Sequence, residues 1–237
     1  MARLNMPHGP LRSASPAQPL GRQTALRTGR LTRRAARPKD AAELAASRSE
    51  MEKKPARRIV TGHDADGKAV VLIDGPTPYV NQRGEGNVTQ LMWITNESPV
   101  DLSHTRDQAA QKTGVPPPRN GSICRIVDFA PVTGELPHGV DHDSILRQMG
   151  IDPATQGYQR HAFTHRTRSI DYAIVIEGEI DMLLDDTQVH VKAGDILVQQ
   201  GTNHAWVNNS GKPCRICFVL IDSHEPPAWK QNWKPKA

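Results

Sequence analysis

The residues able to do chemistry gather in the C-terminal half of the chain. His165, Thr167, Ser169 and Asp171 occupy alternate positions, as do His204, Trp206 and Asn208. On extended strands each set shares one face, because successive side chains alternate sides. Turned inward in one barrel, the two sets bring two imidazoles and a carboxylate together. Such groups either hold a metal or sit hydrogen-bonded in a metal-free core, and residue type alone leaves both open. His161, close before His165, could add a ligand from the strand entrance. His138 and His142, in the run HGVDHD, have a spacing that binds metal on a helix, but their acid-rich loop reads as solvated. His190 lies between Val189 and Val191 and reads as a solvent-facing strand residue. Cys214 and Cys217 have CxxC spacing. They flank Arg215-Ile216 in an apparent strand, point to opposite faces and read as packed thiols. No base with an orienting group stands out to make a cysteine nucleophile.

The elements that must position these residues read as short strands. Arg58–Thr61 and Ala69–Asp74 flank the turn Asp64-Ala-Asp-Gly67, a hairpin signal. Val88–Thr95 and Ser122–Phe129 are further strands. Between them, residues 96–121 read as a loop around Pro116-Pro-Pro118, with a short helix near Thr105–Lys112. Ser144–Met149 reads as a helical turn or two. Strands follow at Ser169–Ile176, Glu179–Leu184, Val189–Val191, Ile196–Gln199, His204–Val207 and Arg215–Ile221. Close, regular spacing with Gly turns predicts an all-β sandwich or barrel.

Composition bounds the rest. The chain has 237 residues, of which 37% are hydrophobic, a low share for a fully packed globule. No run of about 18 apolar residues occurs, so no transmembrane helix is expected. Three cysteines, an odd number, argue against a disulfide scaffold and suit a reducing, cytoplasmic setting. Ten of the 30 Lys/Arg but only three of the 25 Asp/Glu fall in residues 1–50, a balance of +7 there and −2 in the remainder. The net charge of +5 therefore belongs to the first segment and gives no sign of a nucleic-acid-binding surface on the domain. Residues 1–56, rich in Arg, Ala and Pro, read as a disordered basic tail. Three origins fit it: an extension ahead of a natural start at Met51, an organelle-targeting peptide, or a basic arm. Residues 57–222 form the expected domain, and residues 223–237 a tail lying over the surface or reaching a neighbouring subunit.

The run His165-Arg-Thr-Arg-Ser-Ile-Asp171, followed by Gly178, resembles the first motif of the cupin superfamily. Gly194-Asp195, the strand Ile196–Gln199, Gly201-Thr-Asn-His204 and Asn208 resemble the second, with one residue fewer between Gly194 and Gly201. The likeness covers residues 161–222 and is to small, RmlC-like single-domain cupins of the cupin 2 conserved-barrel type. It implies a single jelly-roll β-barrel and one divalent metal. By position, its ligands fall on His165, Thr167, Asp171 and His204. Thr167 puts a neutral hydroxyl where the family has a histidine. Asp171 is one methylene shorter than the usual Glu, and Gln199 stands where a proline is usual. The implied set is therefore His165, Asp171 and His204, holding Fe, Mn or Zn. Two histidines and one carboxylate still make a usable site with open positions for substrate. Thr167 and Trp206 are expected to line the substrate pocket.

The function this implies is a small metal-dependent enzyme acting on an organic acid or carbonyl compound, of decarboxylase, isomerase or dioxygenase type. The alternatives are a small-molecule binding module without catalysis, and a structural homodimer with a vestigial pocket. No acid or base beyond the ligand set is evident, so the residues leave open whether the chain is an enzyme. A homodimer burying the first strands and Tyr172 is expected, since small jelly rolls have edges and faces to cover. No nucleic-acid or membrane partner is expected.

Overall fold

The computed structural model describes residues 55–83, 86–132, 141–231 and 233–235. The tail expected over residues 1–56, apart from Pro55 and Ala56, lies outside them, as does His138. Eleven strands are present among the described residues: β1 (Arg57–His63), β2 (Ala69–Pro76), β3 (Val80–Arg83), β4 (Asn87–Thr95), β5 (Ser122–Phe129), β6 (Ser169–Glu177), β7 (Glu179–Leu183), β8 (Gln188–Lys192), β9 (Ile196–Gln200), β10 (Ala205–Val207) and β11 (Cys214–Asp222). One helix, α1 (His142–Gln148), lies between β5 and β6, and short 3-10 turns form at Pro153–Thr155 and Pro227–Gln231.

All pairings are antiparallel. The large sheet runs β3-β4-β5-β11-β6-β9, the small one β10-β7-β8, and β1-β2 form a separate hairpin. The fold is an all-β cupin-type jelly roll. Alternation decides which residues enter the core: along β11, Cys214, Ile216, Phe218 and Leu220 are buried while the residues between them are not. They meet Ile123 from β5, Ala173 and Val175 from β6, Ile180 from β7 and Val191 from β8. Gly178 joins β6 to β7 at φ 76°, where a Cβ would come within 2.4 Å of Pro213 O. No helix among the described residues is long and apolar enough to cross a membrane.

Two details differ from the sequence reading. No helix forms over Thr105–Lys112. Side chains satisfy that backbone locally instead: the Asp107 carboxylate accepts from Ala109 N–H at 3.0 Å, and Gln111 donates to Gln108 O at 2.7 Å, the competition that keeps such residues out of helices. Strand β3 carries no apolar alternation to announce it. It exists because it pairs with the edge of β4.

The hairpin and the long loop are tied to the large sheet by one buried cation. Arg58 binds Asp107 through both terminal nitrogens, donates to Met92 O at 3.2 Å and lies over the Tyr79 ring at 5.2 Å. Tyr79 donates its hydroxyl to the same carboxylate at 3.1 Å. Arg125 of β5 donates to Gly114 O at 2.7 Å, and Val115 N–H to Met149 O at 2.7 Å, so the proline loop and α1 are tied together beside the barrel.

Candidate functional site

His165 and His204 meet through their backbones. Each N–H donates to the other's carbonyl at 2.9 Å, an isolated antiparallel bridge just ahead of β6 and β10. Their rings lie 4.4 Å apart at 51°. Burial alternates as the sequence pattern predicts: His165, Thr167, Ser169 and Asp171 are buried, while Arg166, Arg168 and Ile170 are only partly so. Arg166 is accounted for by stacking over Trp229 at 4.2 Å, and Arg168 by its ion pair with Asp222 at 2.5 Å.

A chain of hydrogen bonds runs through the buried side chains. Thr167 Oγ1 lies 2.8 Å from Ser169 Oγ, and Ser169 donates to Asp171 Oδ1 at 2.5 Å. Gln199 stands directly opposite Asp171 in the β6–β9 ladder. Its amide nitrogen lies 3.3 Å from Asp171 Oδ2 and 3.0 Å from His204 Nδ1. One glutamine thereby links the carboxylate of β6 to the imidazole beside β10.

Burial sets the charge states. It pushes His165 down to about 4, and burial with the neighbouring His165 pushes His204 down to about 3. Both are neutral near pH 7. Burial pushes Asp171 up to about 6, against the Ser169 hydrogen bond that favours its charged form. His165 Nδ1 lies 2.9 Å from Phe163 O, an acceptor, so Nδ1 carries the proton and Nε2 keeps its lone pair. His204 Nδ1 either donates to Thr202 O at 3.1 Å or accepts from Gln199. Only the first leaves Nε2 with its lone pair.

With His204 donating to Thr202 O, the imidazole pair fits a divalent metal: two neutral rings side by side, each with a free Nε2 lone pair. The third expected ligand is placed differently. Among the described residues, the only group of three His, Cys, Asp or Glu ligand atoms all within 4.8 Å of one another is the exposed set Glu97, Asp101 and His104. Asp171 is directed to Ser169 and Gln199 and does not converge with both histidines. His161 is turned to Phe163, whose N–H lies 3.3 Å from its Nδ1. His142 contacts Ala162 O at 2.8 Å. His190 is exposed, as read, beside Asp181 at 2.9 Å.

The two expected pocket residues separate. Trp206 packs edge-on to His204 at 6.3 Å and to Phe218 at 5.6 Å, an aromatic wall inside the barrel. Thr167 borders a cavity of about 210 Å³ together with Arg166, Arg168, Asp222 and Trp229. The C-terminal tail closes over that side: Trp229 donates to Gly201 O at 2.8 Å, and Trp233 packs on Tyr158 at 5.5 Å. Sequence reasoning gave Ser169 and Gln199 no role. The available signals were the inward parity of Ser169, between 167 and 171, and a polar Gln199 in the motif's proline position.

Comparison with known proteins identifies the family. The cupin domain model named Cupin_2 matches residues 149–221. The chain is 31% identical over 175 residues to the cupin-domain-containing oxidoreductase fogC of Aspergillus ruber, covering 71% of this chain and 73% of that one. The chain belongs to the cupin superfamily. It is also 33% identical over 174 residues to phomopsin biosynthesis cluster protein D of Diaporthe leptostromiformis, covering 70% of this cupin and 78% of the relative. Among solved structures, an RmlC-like cupin from Shewanella frigidimarina matches at 14% identity and a TM-score of 0.35, covering 62% of this chain and 85% of that one.

Proposed function

We propose that this cupin is an oxidoreductase-type enzyme that binds an organic acid or carbonyl compound in its barrel, with His165 and His204 holding one divalent metal. The observation that carries this reading is the backbone-fixed pair of neutral imidazoles, whose rings lie 4.4 Å apart. The relatives named cupin-domain-containing oxidoreductases support the reaction class. A metal of the Fe, Mn or Zn type would supply Lewis acidity toward a substrate oxygen and, as iron, redox capacity.

The chain's own residues divide the remaining work. Phe163 O holds His165 in the tautomer that leaves Nε2 a ligand. Thr202 O holds His204 in the matching tautomer, and Gln199 donates to the Asp171 carboxylate. Asp171, which burial raises to about 6, takes up and releases a proton within the barrel and is the acid–base group of this reading. Trp206 gives the site an apolar wall that excludes water and packs against a flat substrate.

A binding module without catalysis is the second reading. What favours it is the Asp171 carboxylate, which Ser169 and Gln199 already occupy. The deciding experiment is reconstitution with Fe(II), Mn(II) or Zn(II), measuring metal per chain by mass spectrometry and then O₂ consumption with candidate 2-oxo and 2-hydroxy acids. Stoichiometric metal with turnover supports the enzyme. Stoichiometric metal without turnover supports the module. No uptake of any of the three overturns the metal assignment.

A further inference from the structure

The two partly exposed cysteines lie together on the face of the large sheet that looks away from the barrel. In the β5–β11 ladder Cys217 is opposite Ile126 and Cys124 opposite Val219, so the two are diagonal neighbours on one face. Cys214, three positions before Cys217, is on the core face and fully buried. CxxC spacing is therefore irrelevant, and the working pair is Cys124 with Cys217, which the sequence separates widely.

Both thiols are free, and each lies close enough to shift the other's titration. They form part of the lining of a groove of about 580 Å³ bounded by Val60 of β1, Trp93 of β4 and Val100 and Leu102 of the following loop. The groove gives a small reagent access. Interaction with Cys124 favours the Cys217 thiolate, which is lowered to about 7, while interaction with Cys217 and burial push Cys124 up. Thiolate character and access together decide where oxidants react. Cys214 has neither: burial pushes it up to about 12.

We propose that Cys124 and Cys217 form a peroxide-reactive dithiol in this groove, with Cys217 the attacking sulfur and Cys124 the resolving one. The Cys217 thiolate attacks one oxygen of hydrogen peroxide. The O–O bond breaks, and the leaving hydroxide takes up a proton and departs as water. Cys217 becomes a sulfenic acid. The Cys124 sulfur then attacks the Cys217 sulfur, the S–O bond breaks, and a second water leaves with the Cys124 proton. Two thiols lose two electrons and two protons, and peroxide is reduced to two waters. Diagonal strand neighbours lie about 7–8 Å apart at Cα, beyond the roughly 4.4–6.8 Å that a disulfide usually spans. The bond therefore requires β5 to shift slightly against β11, and a strained bond of this kind is readily reduced again.

The test uses the full-length chain treated with a small excess of hydrogen peroxide. After quenching and denaturation, free thiols are counted with a chromogenic disulfide reagent and the cysteine peptides are mapped by mass spectrometry. Free thiols are expected to fall from three to one, with a Cys124–Cys217 linked peptide, Cys214 untouched, and full recovery in dithiothreitol. The Cys124→Ser chain is expected to stop at a Cys217 sulfenic acid, trapped as a dimedone adduct. The Cys217→Ser chain is expected to keep both remaining thiols. Retention of three thiols in the wild type, a linkage between chains, or Cys217 oxidised beyond sulfenic acid with Cys124 still free would each overturn the proposal. If a variant fails to fold, the wild-type peptide map decides alone.

Discussion

His165 and His204 are joined by two backbone hydrogen bonds, each 2.9 Å long, that do not involve their rings. The bridge that sets the two rings side by side belongs to the strand ladder and would survive removal of either side chain. This makes the site preorganised, and it makes substitutions informative. In His204→Ala the fold should persist and metal should fall from near one per chain to below about a tenth after reconstitution, because one imidazole alone is a weak ligand set. In Thr167→His an imidazole returns to the position where the family pattern has one, and retention of metal against a chelator should rise. Elemental analysis of the three proteins side by side checks both outcomes.

Asp171 and Gln199 separate ligand from proton carrier. If Asp171 works as an acid–base group, Asp171→Asn should keep metal at the wild-type level while lowering kcat by about 10²–10⁴-fold, the usual range for loss of such a group. Loss of metal in Asp171→Asn would instead make it a ligand that rearranges on binding. Gln199→Leu removes the amide that donates to the buried Asp171 carboxylate. It should lower stability by about 1–3 kcal/mol, read from denaturant midpoints.

Much of the barrel was legible because its strands obey period two. Ser122–Phe129 is a strand at its expected boundaries, and inward parity at 165, 167, 169 and 171 is borne out in burial. Parity tells which way a side chain points but not what it meets. The position of Gln199 showed it as a departure from a motif. Its contact with Asp171 depends on the β6–β9 register, which only the folded ladder supplies. The same limit hid the thiol pair: local spacing joined Cys214 to Cys217, whereas strand order joins Cys217 to Cys124. The loop around Asp107 was misread because its partner, Arg58, lies far away in sequence.

That Arg58–Asp107 pair carries a pH prediction. Arg58 lowers the Asp107 carboxyl below the ordinary Asp value, chiefly through its hydrogen bonds and against desolvation. A group whose folded pKa is depressed contributes stability above its unfolded pKa of about 3.9, and loses it as pH falls through the folded value. Asp107→Asn should therefore cost about 2–3 kcal/mol at pH 7, since it leaves Arg58 buried without its counter-charge. The deficit relative to wild type should shrink as both are measured from pH 4 downward. A deficit that stays constant from pH 7 to pH 3 would mean that the carboxylate charge contributes nothing.

The last prediction concerns what covers the edge of the large sheet. Strand β9 is terminal in that sheet, and its outward side chains Ile196 and Val198 are 65% and 51% exposed. Val198 is paired across the ladder with Tyr172, and Ile196 with Ile174. Tyr172 and Ile176 extend the same apolar stripe on β6, at 38% and 49% exposure. An uncharged edge with an apolar face is an aggregation hazard unless something covers it. A second copy related by a two-fold axis is the simplest cover, because one patch then satisfies itself. Static light scattering at micromolar concentration should give twice the chain mass. Val198→Asp with Ile196→Lys should give a monomer of unchanged β-sheet circular dichroism, since neither side chain enters the core. A wild-type monomer at that concentration would refute the two-fold cover, and a dimer that survives both substitutions would move the interface away from this edge.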